Sequence, residues 1–231
     1  MAKKNTVIVL GSGLGRVGSS ALMGLLRLSN VNIGGRQSGL GNASASNPKG
    51  HFEPPAIKQF LSSVFPKSFP GLATVPTIKQ LRLCGRKHHA EFNQLLAAEF
   101  GHVYPIALKG GRLLVLPFLQ PLQANLDVKV LMLQREPKDQ IASIIRVWRK
   151  SAKLRKHATV QHIAPILSRW TTFVKSVRDA YTNFDYLDIQ FNSLIDAPVP
   201  TMRKITSFAG ITCPNHKGIM NWIDPRLVHR K

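Results

Sequence analysis

The chain has 231 residues, 44% of them hydrophobic and 19% charged, so a packed core is expected and wholesale disorder is excluded. Lys and Arg number 32 against 11 Asp and Glu, a formal charge of +21 that draws in anions such as nucleotides, nucleic acid or acidic glycans. Apolar runs such as Val7 to Leu10 fall far short of the roughly 20 residues that span a bilayer, and Cys84 and Cys213 lack metal or disulfide spacing, so a membrane span, a zinc module and a disulfide scaffold are excluded and a reduced, cytoplasmic setting is expected.

Thr6 to Leu10 (TVIVL) is a β-branched run bounded by Gly11 and reads as a buried strand. The loop GSGLGRVG (11–18) follows, and Ser19 to Leu28 carries apolar residues at helical spacing with a serine available as N-cap. Residues 34–50 are rich in Gly, Ser and Asn, either a mobile loop over a site or a plain connector. Further on, His88 to Phe100 is helical in pattern, Tyr104 to Leu108 is a short strand ending at Lys109, and Val128 to Leu133 is a second buried-strand run followed by Gln134 and Arg135. Pro137 to Lys150 and Gln161 to Tyr181 are amphipathic helices, Phe184 to Ile189 a fourth strand, and Met202 to Ala209 a late helix. Uniformly apolar strands alternating with helices predict an α/β fold with a parallel sheet covered on both faces. No repeat or linker divides the chain, so residues 1–231 read as one domain.

A glycine-rich turn between strand and helix suits an anion, because N–H groups at the helix start point at the ligand and the dipole adds positive charge. A plain packing turn with a solvated Arg16 is the simpler alternative. ATP or GTP hydrolysis would need Gly-x-x-x-x-Gly-Lys-[Ser/Thr] and an aspartate after an inner strand to hold Mg²⁺. The first string is missing, and Gln134-Arg135 puts a cation where the metal-binding acid should stand. Gly13-x-Gly15-x-x-Gly18 fits a dinucleotide motif, yet an NAD site wants an acid about 20 residues on, and the first acid is Glu53. NADPH, with Arg36 beside its phosphate, is the reductase alternative.

A third reading is a ligand with phosphates at two places and no metal, Arg135 being the second anchor. Five strings in order then resemble a family: GLGRVGSS (13–20), NPKGHFE (47–53), ALKGGRLLVLP (107–117), LQREPKDQIASI (133–144) and NWIDPRL (221–227). They are similar to the conserved elements of bacterial-type sulfotransferases that use 3′-phosphoadenosine 5′-phosphosulfate, PAPS. The resemblance implies a three-layer αβα, P-loop-like nucleotide-binding architecture and metal-independent in-line sulfuryl transfer to a hydroxyl or amine. It implies that Gly13, Gly15, Arg16, Val17, Gly18, Ser19 and Ser20 hold the 5′-phosphosulfate, and that Arg135 and Ser143 hold the 3′-phosphate. Arg16 and Lys109 would stabilise charge on the departing phosphate, and Glu53 or His51 would take the acceptor's proton.

Each role has an ordinary alternative: an ion pair to Glu136 or Asp139 for Arg135, a helix-surface hydroxyl for Ser143, and a helix-start acid for Glu53. The chain departs from the family pattern at Val17 (serine in the family), Ser19 (threonine), His51 (tyrosine), and Gly110 with Gly111 (Asp-Pro). The basic segment Arg146 to His157 is either a solvated helix face or a groove for an anionic acceptor such as a glycan. No nucleic-acid motif accompanies it. A non-catalytic module that binds polyanions is the rival from another class.

Overall fold

The structure, a computed structural model, describes residues 4–37, 39–40, 51–66, 74–109 and 113–223. Four strands, β1 (Asn5–Gly11), β2 (Ile106–Lys109), β3 (Leu126–Gln134) and β4 (Asp185–Gln190), form one sheet in the order β2-β1-β3-β4. All three pairings are parallel. Val7 to Gly11 are buried without alternation, as expected for a strand covered on both faces.

One face of the sheet packs Val7, Val9, Val128 and Val130 against α2 (Pro55–Val64), α3 (Ile78–Phe100), α4 (Leu116–Leu119), α5 (Pro137–Arg149) and α6 (Val160–Ala180). The other packs Ile8, Leu10 and Leu131 against α1 (Ser19–Leu28), α7 (Phe191–Asp196), α8 (Pro198–Ala209) and α9 (His216–Trp222). The result is the three-layer α/β arrangement expected from the sequence.

The chain leaves β1 toward β2 on one side and later inserts β3 on the other. The carboxyl end of β1 is therefore a topological switch point, where ligands of open α/β sheets bind. Register puts Lys109 beside Leu10 and Met132 beside Gly11, so Lys109 and Arg135 flank the loop that follows β1.

Three local expectations change. The N-cap of α1 is Gly18, in the left-handed region at φ 87°, and no side chain caps the helix. The serine expected as a cap is the first helical residue instead. Helix α3 begins ten residues before the apolar pattern, because Thr77 and Gln80 form a reciprocal capping box that starts it. Arg36 donates its backbone N–H to the Glu99 carbonyl near the end of α3, next to the amino end of β2. That is the far edge of the sheet from the glycine-rich loop, so the NADPH reading loses its phosphate anchor. Of the Gly-, Ser- and Asn-rich segment 34–50, residues 38 and 41–50 lie outside the described residues, as do Gly110, Gly111 and residues 224–231. Among the described residues no helix is long and apolar enough to cross a membrane.

Candidate active site

The loop between β1 and α1 is held open by its neighbours rather than by its own contacts. Gln140, buried near the start of α5, donates through Nε2 to the carbonyls of Leu14 (2.6 Å) and Gly15 (2.9 Å). Tying these carbonyls to α5 fixes the path of the peptide units that carry the N–H groups. Replacement of Gln140 by Leu leaves two buried or half-buried carbonyls unpaired. Urea unfolding is expected to show a loss of about 1–3 kcal/mol.

Positive φ occurs at Arg16 (74°) and Gly18 (87°), which turns the chain sharply into the helix. At Gly18 a Cβ would overlap the ring of Phe191, so glycine is required on two counts. At Gly15 a Cβ would meet nothing, so the loop leaves open space there. Gly13 lies against Thr171 of α6. The Val17 side chain is buried among Ile8, Leu10 and Leu22, so it is a core residue and only its backbone N–H faces the ligand question. A valine in place of the family's serine is thereby explained by packing.

Arg16 reaches across to α5, where its Nε donates to Oγ of the buried Ser143 at 3.3 Å. Arg135 Nη1 donates to the Arg16 carbonyl at 3.1 Å, and its guanidinium lies 4.5 Å from the centre of the Phe191 ring. Among the described residues no carboxylate comes within 4.0 Å of Arg135, so the expected alternative of an ion pair to Glu136 or Asp139 is not formed. Arg135 Nε is buried without a hydrogen-bond partner, and so is Nη1 of Arg146, one helical turn beyond Ser143. Burial lowers the pKa of Arg16, and the positive charge of Arg146 lowers it further. Burial also lowers that of Arg135, partly opposed by Asp139 and reinforced by Arg16 and Arg146. Three guanidinium groups thus repel one another at the switch point, a costly arrangement that an anion relieves.

On the other side of the loop, Lys109 Nζ donates to Oγ of Ser20 (3.1 Å) and to the His51 carbonyl (2.6 Å), with Oε2 of Glu53 at 3.6 Å. Burial pulls the Lys109 ammonium below its ordinary value, and the Glu53 carboxylate pulls it part of the way back. Burial and the Lys109 charge lower the pKa of the His51 imidazole, which favours its neutral form. Between them Phe52 sits at φ 51°, a strained conformation for a bulky residue. Its ring is buried edge-on against Trp222 at 5.7 Å, and Trp222 Nε1 donates to the Ala21 carbonyl of α1 at 2.9 Å. On either side of this turn, Glu53 and the His51 carbonyl both face Lys109.

All the sequence-derived candidates therefore gather at one edge: Gly13 to Ser20 in the loop, Arg135 and Ser143 to one side, His51, Glu53 and Lys109 to the other. Gln140 and Phe191 join them without having been singled out, and Arg146, expected only as the start of the basic segment, joins them as well. A buried amide on the loop-facing stripe of α5 was the available signal for Gln140. For Arg146 it was the spacing of three from Ser143. A cleft of about 650 Å³, with Gly13, Arg135, Gln140 and Thr171 in its wall, opens beside the loop at the ends of β3 and β4. Among the described residues no three His, Cys, Asp or Glu side chains form a metal-binding group.

A parallel α/β sheet with a cationic, glycine-rich loop at its switch point is the arrangement in which open α/β sheets hold small phosphate-bearing anions. The family model of the sulfotransferase domain matches residues 107–223, just over half of the chain, and the chain belongs to the sulfotransferase family, whose chemistry is sulfuryl transfer. The same fold is found in the sulfotransferase domain from the Synechococcus PCC 7002 olefin synthase (TM-score 0.50, 14% identity, covering 99% of this chain and 87% of that one). It is found also in the sulfotransferase domain from the curacin biosynthetic pathway (0.52, 14%, 97% and 79%). Sulfotransferase STF9 from Mycobacterium avium is a third example (0.50, 15%, 96% and 68%). No curated protein sequence matches the chain.

Proposed function

We propose that the protein, acting as one domain in the cytoplasm, transfers a sulfuryl group from PAPS to an acceptor hydroxyl or amine. The observation that carries this reading is the trio Arg16, Arg135 and Arg146 around an uncapped helix start, with two buried guanidinium donors lacking partners. Buried, unpaired N–H donors on Arg135 and Arg146 beside the loop fit a ligand carrying phosphates at two places. The N–H groups of Gly15 to Ser20, with the side chain of Arg16, suit the 5′-phosphosulfate; Arg135, Ser143 and Arg146 suit the 3′-phosphate.

In the transfer, the acceptor oxygen (or nitrogen) bonds to sulfur while the bond from sulfur to the 5′-phosphate oxygen breaks, its electron pair leaving with adenosine 3′,5′-bisphosphate. Glu53, a carboxylate opposite Lys109, takes the acceptor's proton. The His51 imidazole is the alternative base, supported by its lowered pKa. Lys109 and Arg16 face the oxygen on which charge develops, and both are already fixed by hydrogen bonds to the protein, so little reorganisation is needed. A non-catalytic module could share the surface charge but has no use for a strained Phe52 with Glu53 and the His51 carbonyl facing Lys109 on either side.

Titration calorimetry with adenosine 3′,5′-bisphosphate tests the reading, 5′-AMP serving as the ligand that lacks the second phosphate. The bisphosphate is expected to bind at least tenfold more tightly, and equal binding of the two would overturn the two-phosphate site. Arg146→Gln is expected to remove about 1.5–3 kcal/mol from the bisphosphate's binding with little effect on 5′-AMP. The same variant should unfold at a higher temperature without ligand, because one of three repelling cations is gone.

A further inference from the structure

The excess of positive charge is not spread evenly. Between Asp139 and Asp179 the sequence has nine Lys or Arg and no acid. Five of these, Arg149, Lys150, Lys153, Arg155 and Lys156, are exposed at the end of α5 and on the turn that joins it to α6. Elsewhere acids are taken up in pairs, Asp127 and Asp185 with Lys129 and Asp188 with Arg178. Among the described residues no carboxylate lies within 4.0 Å of any cation on this turn.

The turn is also ordered. Arg155 Nε donates to the Arg149 carbonyl at 3.1 Å, the Leu154 and Arg155 N–H groups donate to the Ser151 carbonyl, and Ala158 is buried beneath. His157 stacks on His162 with ring centres 4.5 Å apart. Like charges held at fixed spacing raise the energy of the free protein and preorganise it for a polyanion. Ser143, Arg146 and Lys150 follow one stripe of α5 at positions i, i+3 and i+7. The turn thus begins about 10 Å along the helix from Ser143, at the end of the site assigned to the 3′-phosphate.

We infer that this surface holds an acidic polysaccharide, an acceptor whose own carboxylate or sulfate groups dock on Lys150, Lys153 and Lys156 while a hydroxyl several sugars further along the same chain reaches Glu53 across the loop. Its acceptor role rests on the sulfuryl-transfer reading; the docking itself does not. Nucleic acid fits less well, because single strands bind on exposed aromatic faces. The large exposed apolar side chains among the described residues are Leu28, Leu83, Val103, Val160 and Met220, with no aromatic ring. An anionic membrane fits less well for a related reason, since Val160 alone of these adjoins the turn and offers little to insert.

The test compares the wild type with the triple variant Lys150→Gln, Lys153→Gln, Lys156→Gln, three exposed side chains with no part in the site. Polygalacturonate, neutral dextran, oligothymidylate and phosphatidylserine vesicles are the probes, over a series of salt concentrations. The wild type is expected to bind polygalacturonate most tightly and dextran not at all. The triple variant should lose about tenfold or more at low salt, with a shallower salt slope. Restoring charge with arginine at the three positions should restore binding. Unchanged polygalacturonate binding in the triple variant overturns the proposal, as does tighter binding of oligothymidylate or vesicles by the wild type. Adenosine 3′,5′-bisphosphate is titrated into both proteins in parallel. Polyuronate binding without bisphosphate binding would leave the docking surface standing and remove the functional reading, and the converse would do the reverse.

Discussion

Glu53→Gln is expected to lower turnover about 10²–10⁴-fold while adenosine 3′,5′-bisphosphate binds at neutral pH within about threefold of wild type. The amide keeps the shape of the carboxylate and loses its ability to take a proton, so a binding role and a base role separate cleanly. The substitution has a second, readable effect. Glu53 is the charge that favours the ammonium form of Lys109 against burial. With that charge gone, the folded-state pKa of Lys109 falls further below its ordinary value, and the ammonium is lost at a lower pH. Bisphosphate affinity measured against pH should therefore begin its alkaline decline earlier in the variant than in the wild type. Full turnover by the variant would assign the proton to another group, His51 first.

The contrast between Gly15→Ala and Gly18→Ala carries the next largest effect. At Gly18 the methyl group meets Phe191 and the backbone is left-handed. Strain of about 1–2 kcal/mol and overpacking of about 1–3 kcal/mol should together lower stability in urea by about 2–5 kcal/mol. Phe191 also lies under the Arg135 guanidinium, so bisphosphate affinity falls with stability. At Gly15 the methyl has empty surroundings and no positive φ, and the unfolding free energy should stay within about 0.5 kcal/mol. Affinity is nonetheless expected to drop about tenfold, since the methyl occupies the space through which a phosphate would approach the backbone. Loss of affinity without loss of stability is the signature of a loop shaped around a ligand. Unchanged affinity would return the loop to a packing role.

Much of this arrangement is legible in the sequence because it is local. The run TVIVL, the glycines after it and the apolar spacing of 19–28 specify a strand, a turn and a helix within two dozen residues. Arg135 and Lys109 could be placed because each follows an apolar strand of a parallel sheet, whose carboxyl ends share one edge. The long-range contacts were not legible. Nothing near Gln140 says that its amide will meet carbonyls 125 and 126 positions earlier. The left-handed Phe52 has no local cause either, since a ring at positive φ persists only when its surroundings hold it. The start of α3 could have been read from Thr77 and Gln80, but Lys79 and Arg82 dilute the apolar pattern there. Ser19 was a reasonable cap by composition. Gly18 displaced it because the turn needed a residue without a Cβ beside Phe191.

The Trp222 indole, bonded to Ala21 across 201 positions of chain, ties competence to the order in which the polypeptide is assembled. A Cβ on Gly24 would overlap that indole, so α1 keeps a gap for it from the outset. During synthesis β1, α1 and the KGHFE segment emerge early, yet the indole that steadies Phe52 is translated about 170 codons after that ring. Closing so wide a loop is among the entropically dearest steps of folding. Nascent chains should consequently complete the sheet and the turn after β1 before the contact that steadies Phe52 can form.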